Sequence, residues 1–213
     1  MRVARTALCL ALAGSLLGAG VAGAATRPKP KPKPVCNLVT DDKGDADQGL
    51  TSASSQPAWD IVSADVATDT KNITTVIRVA KLSKAVSDDP LGSQWRFDFT
   101  VDGIKLFTQA TSTPFGDAFT IGYSDTTSHG FASSGATGVF DTAKNEVRVT
   151  APLSSTSSKA TIKVGTKLTA LEASDGDYVN TAGGSPSGSF QADDALGAKS
   201  YTGGVLSCVK VGK

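Results

Sequence analysis

Residues 94–101, Gln-Trp-Arg-Phe-Asp-Phe-Thr-Val, alternate without a fault. Trp95, Phe97, Phe99 and Val101 fall on one side of an extended chain, and Gln94, Arg96, Asp98 and Thr100 on the other, the period of a half-buried strand. Asp102-Gly103 follows and residues 104–108 resume a strand, a strong short-range hairpin signal. Phe119, Ile121 and Tyr123 alternate next. Residues 138–140 lead through a polar turn at 141–145 into 147–150, a second hairpin ended by Pro152. Upstream, residues 60–68 and 73–82 are rich in β-branched side chains and joined by Asp69-Thr70-Lys71-Asn72; downstream, 161–164, 168–173 and 204–211 read as further strands. Helical periodicity is absent apart from a short turn near 154–159. Many short strands at close spacing predict an all-β domain, an antiparallel β-sandwich of jelly-roll-like form.

Covalent chemistry adds a second constraint. Residues 1–25 read as a secretory signal peptide, with Arg2 and Arg5, an apolar run over 7–21, and the small residues Ala22-Gly23-Ala24. The run is too short and Gly-rich for a spanning helix, so no transmembrane anchor is expected after cleavage. Cleavage removes Cys9 and leaves Cys36 and Cys208. An isolated even pair in an oxidising compartment reads as a disulfide, and no C-x-x-C spacing or nearby His argues for redox chemistry. The bridge would close a loop of about 170 residues, remove roughly 5 kcal/mol of unfolded-state entropy in the chain-entropy model, and tie the two termini of the domain together. The expected location is extracellular, with cell-wall association as an option.

Charge is unevenly distributed. The formal total is +1; without the arginines of 1–25 and the four basic residues of 26–34 it becomes −5. Residues 26–34 alternate Lys and Pro and read as a polyproline II spacer of about 3 Å per residue. Such an arm could dock on anionic cell-wall polymer or phospholipid, or be only a stiff soluble spacer. Residues 35–213 make one β-sandwich domain. Its acidic balance disfavours nucleic acid as a partner.

Few catalytic chemistries are open to these residues. His129 is the single histidine, and neither G-x-S-x-G nor S-x-x-K occurs, which disfavours a Ser-His-Asp hydrolase. Paired carboxylates for glycoside hydrolysis are harder to exclude in an aspartate-rich β protein; a carboxylate-dependent hydrolase ranks third, and the expectation is no catalytic residues and no enzyme activity. One His, two bridged Cys and no Met beyond the initiator serve zinc and haem poorly. Hard-cation binding needs only oxygen ligands, and residues 41–47, Asp-Asp-Lys-Gly-Asp-Ala-Asp, hold four carboxylates. The spacing fails the EF-hand pattern, because Lys43 takes a ligand position and Ala46 replaces the Gly. A calcium site would therefore draw on separate segments: Asp42, Asp45 and Asp47 with Asp60, joined by the Asp193-Asp194 pair, of which Asp194 is the expected ligand. The disulfide brings the two chain ends near one another. The alternative is that Asp and Gly simply favour turns. For a carbohydrate ligand, Trp95 is assigned to the core and Trp59 to a sandwich end, which leaves Phe115 and Tyr178 as loop aromatics.

Asp41-x-x-Gly44-Asp45, Trp59-Asp60-Ile61-Val62 leading into Ala64-x-Val66, and the strand Thr75-Val76-Ile77-Arg78-Val79 resemble the opening of DOMON-like and family 9 carbohydrate-binding-like modules of secreted bacterial proteins. Asp193-Asp194-Ala195 followed by Tyr201-Thr202-Gly203-Gly204 resembles their closing segment. The resemblance covers residues 35 to about 211. It implies a jelly-roll-like sandwich that binds sugars, or haem in some branches, often with a structural calcium. The missing Met/His pair departs from the haem-binding branch. The resulting expectation is a secreted, non-catalytic binding module with calcium and a weak polysaccharide-type ligand. The alternative is an envelope interaction protein docked through its basic arm.

Overall fold

In the computed structural model the alternating segments pair as two antiparallel sheets packed face to face. The structure describes residues 31–46, 57–84, 92–124, 134–156, 159–177 and 190–212. Residues 32–213 form one compact unit; the expected signal segment and most of the Lys/Pro spacer lie outside the described residues. Among those residues the smaller sheet has β1 (Val39–Thr40), β2 (Ile61–Thr68), β3 (Asn72–Val79), β9 (Glu146–Pro152) and β8 (Thr137–Asp141), in that order. The larger runs β11 (Phe190–Leu196), β10 (Lys167–Asp177), β4 (Ser93–Val101), β5 (Ile104–Thr113), β6 (Gly116–Tyr123) and β7 (Ser134–Gly135), with β12 (Tyr201–Thr202) paired to β10. The β4–β5 hairpin turns at Asp102 and Gly103, both at positive φ (50° and 82°). That is the left-handed pair a two-residue hairpin of this hand requires, and it explains the Asp-Gly dipeptide.

Strand alternation places the core. Trp95, Phe97, Phe99 and Val101 of β4 are fully buried and face Ile73, Ile77 and Val79 of β3 and Val147, Val149 and Ala151 of β9 in one cluster. The indole of Trp95 donates to the Ala58 carbonyl at 3.0 Å, so this large side chain is buried without an orphaned N–H. Thr75 and Thr108, hydroxyl to hydroxyl at 2.6 Å, cross from one sheet to the other. Trp59 is buried at the start of β2, in the same cluster.

Two expected strands are not strands. Residues 161–164 run as an irregular connection ending in a turn at Gly165, whose φ is +90°. The chain there is held by single bonds such as Gly165 N–H to the Gly203 carbonyl, not by a ladder. Residues 204–211 form a strap instead of a strand. Val209 packs on Ala67 and Val76 with Val211 beside them, on the outer face of the smaller sheet, and Gly212 N–H donates to Thr74 Oγ1 at 3.1 Å. One parallel bridge, Val35 with Ser207, and the Cys36–Cys208 disulfide (Cα atoms 5.3 Å apart) fasten the strap to the start of the domain. The expected turn near 154 is a 3₁₀ turn, Leu153–Thr156.

Buried carboxylates elsewhere in this fold are paired. Asp65, with no exposed surface, accepts from Arg78 at 2.7 Å and from Leu38 N–H at 3.1 Å. Asp98 takes a two-point bond from Arg96, 2.8 Å at each oxygen, and that guanidinium lies 3.8 Å from the Phe107 ring centroid. One end of the sandwich is organised differently.

Candidate metal centre

The edge strands β1 and β11 bring carboxylates from both sheets to one seam. In β10, Leu171, Ala173 and Asp175 form the buried series, the first two in the core cluster; Asp175 therefore continues the inward face of the strand. Asp193 stands directly opposite Asp175 in the β10–β11 register. It shares its face with buried Ala195, while Asp194 and Leu196 are exposed. Cβ atoms of directly opposed residues sit about 4.5–5.5 Å apart, so the two carboxyl groups are forced together. From the smaller sheet, Asp41 follows β1, held by its N–H to the Val62 carbonyl at 3.3 Å. A turn then carries Asp45 back over the seam, with Gly44 at φ +92° and its N–H donating to Asp60 Oδ1 at 3.0 Å. Asp60 precedes β2, and the next N–H, of Ile61, donates to Asp193 Oδ2 at 2.8 Å.

One carboxylate oxygen from each of Asp41, Asp45 and Asp193 lies within 4.8 Å of the others. Three oxygens at that separation could hold a metal ion. The depth of the site is graded: Asp45 is exposed, Asp41 half-buried, Asp193 and Asp60 buried. Asp175 lies deepest, 2 % exposed, and both its carboxylate oxygens are buried without a hydrogen-bond partner among the described residues. Asp41 Oδ2 is likewise buried and unpartnered, while its Oδ1 accepts Asp42 N–H at 3.0 Å. None of the ion pairs among the described residues includes Asp41, Asp45, Asp60, Asp175 or Asp193.

The electrostatics follow from this geometry. Burial raises the pKa of Asp175 well above the usual carboxylate value, and Asp193, Asp60 and Asp41 raise it further. Asp193 is pushed up to about 6, first by burial and then by Asp41 and Asp45, against the lowering effect of the Ile61 N–H. Asp41 is raised by burial, with Asp45 and Asp194 adding to the rise against the lowering effects of Asp42 N–H and of hydrogen bonding with the Asp193 side chain. Carboxyl groups so placed must take up protons or a cation, because unscreened like charges in a dry seam repel strongly.

The expected ligands fare unequally. Asp45 is in the cluster, and Asp60 adjoins it. Asp42 is exposed and contributes only its backbone N–H. Asp194 is exposed because strand alternation turns it to the face opposite Asp193. Asp47 lies outside the described residues. Asp41 and Asp175, absent from the expected set, are the half-buried and the deepest members. Asp41 was legible as part of the same acidic loop. Asp175 was hidden because Asp175-Gly176-Asp177 looks like a turn, whereas here it is a strand with a register shift between Asp175 and Gly176. Of the aromatics, Phe115 is 95 % exposed at the β5–β6 tip; Tyr178 and His129 lie outside the described residues. The chain matches no family model, no curated protein and no solved structure.

Proposed function

We propose that this chain is a secreted, non-catalytic binding module whose sandwich is completed by a calcium ion held by Asp41, Asp45, Asp175 and Asp193, and that its ligand is of carbohydrate type. The observation that carries the cation reading is Asp175, a buried carboxyl with two unpartnered oxygens beside three other carboxylates. Leaving such a group bare costs about 1–3 kcal/mol, and more when it is charged. Elsewhere this fold gives its buried carboxylates an arginine; here a cation takes that part. All donors are carboxylate oxygens, which suits a hard ion and not zinc or copper. Calcium, with its larger radius and flexible 6–8 coordination, accommodates a two-oxygen carboxylate bite better than magnesium does.

Secretion is supported by the disulfide and by the signal-like residues 1–25. The binding-module reading draws on the sequence resemblance together with the two-sheet fold. The test is thermal melting of the secreted chain in calcium and in EDTA. Calcium at a thousand times its Kd should add about 4 kcal/mol. Coincident curves at millimolar calcium would remove the cation from the reading.

A further inference from the structure

Resting on the calcium reading, we propose that the bound ion is itself the ligand site: its solvent-facing positions take two adjacent hydroxyls of a neutral sugar. The argument is one of coordination number, exposure and charge. One oxygen from each of Asp41, Asp45 and Asp193 makes three grouped donors, and Asp175, the fourth ligand of that reading, has two unpartnered oxygens to add, which brings the set to at most five. Calcium takes 6–8, so at least about one to three positions remain. Depth decides where they face. Asp175 and Asp193 close the inner side, the Ile61 N–H already occupies Asp193 Oδ2, and only Asp45 is fully exposed. The remaining positions therefore open to solvent beside Asp45.

Charge selects the ligand class. Four carboxylates and one calcium leave a formal charge of about −2, and Asp60 adjoins the site. A phosphate or carboxylate ligand would be repelled. Neutral hydroxyls replace water without adding charge, and a vicinal pair closes a five-membered chelate ring on the ion. No covalent step is involved.

Europium, a luminescent substitute for calcium, tests this directly, because its lifetimes in H2O and D2O count coordinated waters. The expected result is one or more waters on the ion, falling when mannan or galactan is added. In parallel, the secreted chain should be retained on immobilised mannan or galactan in calcium and released by EDTA, and Asp45→Asn should weaken retention about ten-fold. A europium site with no bound water overturns the proposal, as does a water count and retention unmoved by either polysaccharide. Loss of retention in Phe115→Ala with the cation response intact also overturns it, by moving the ligand to the hairpin tip. A calcium-independent melting curve is a separate outcome, since it removes the ion on which the proposal stands.

Discussion

Asparagine in place of Asp175 keeps the shape of the side chain and removes its charge, so the stability change should depend on whether calcium is present. Without the cation, the wild-type seam buries a partnerless carboxyl among three others. An unpaired buried polar group costs about 1–3 kcal/mol, and a charged one more; the amide of asparagine sits at the low end. A difference of about 2 kcal/mol in favour of the variant follows. In a domain of this size 1 kcal/mol moves the melting temperature by about 2–4 °C, so Asp175→Asn should melt roughly 4–8 °C above wild type in EDTA. With calcium the variant lacks the deepest of four anionic ligands. A hundred-fold loss of affinity corresponds to about 3 kcal/mol, so the calcium-induced rise in melting temperature should shrink by roughly 6–12 °C. Calorimetry of both proteins in EDTA and in millimolar calcium reads both effects. A variant less stable than wild type in EDTA would mean that Asp175 already had a partner. Equal calcium increments would mean that Asp175 does not touch the ion.

Three further outcomes rest on other parts of the structure. In EDTA, stability should rise as pH falls from about 7 to about 4. Asp193 has a folded pKa of about 6, above the usual carboxylate value, so the folded state takes up its proton first. The change is about 2 kcal/mol from this group, Asp175 and Asp41 act in the same direction, and a melting temperature that drops over this range would refute the assignment. Arg78→Ala should cost about 3–5 kcal/mol by urea denaturation, because it strands the fully buried Asp65 and leaves Glu146 with Arg148 alone; a loss under 1 kcal/mol would show that Asp65 is solvated or otherwise paired. Replacing both Cys36 and Cys208 by Ser, which opens a loop of 172 residues, should lower stability by up to about 5 kcal/mol, measured by the urea midpoint.

The sheets were legible wherever alternation was strong. β4 carries aromatics at every second position, and the Asp-Gly turn fixes its partner, so that hairpin follows from local chemistry alone. β11 was not legible, because Gln191-Ala192-Asp193-Asp194-Ala195-Leu196 holds no β-branched residue and reads as a polar loop. It is extended because β10 supplies a ladder for it, a long-range cause that no local window contains. The candidate site was legible in part: residues 41–47, Asp60 and the Asp193-Asp194 pair were expected to meet, but only the register that sets Asp193 opposite Asp175 reveals which carboxyl of each neighbourhood points inward. The strap over 204–211 departs from its local pattern for the opposite reason. Its valines suggest a strand, but the two glycines at 203–204 and the bridge at Cys208 lay it across the outer face of the sheet.

That strap also sets a clock. It reaches the outer face of the smaller sheet only with Val209 and Gly212, and its anchor joins residue 36 to residue 208. A ribosome delivers these two cysteines about 170 residues apart, roughly 10–35 s at ordinary rates of synthesis. Throughout that interval Ala67 and Val76 lack the cover of Val209, and for most of it β10, which pairs with β4 some 75 residues upstream, has yet to emerge. Contacts this distant in sequence form late and slowly. The growing chain would thus stay short of its folded state until its last strands arrive, which is the condition under which a polypeptide can still be threaded through a narrow channel.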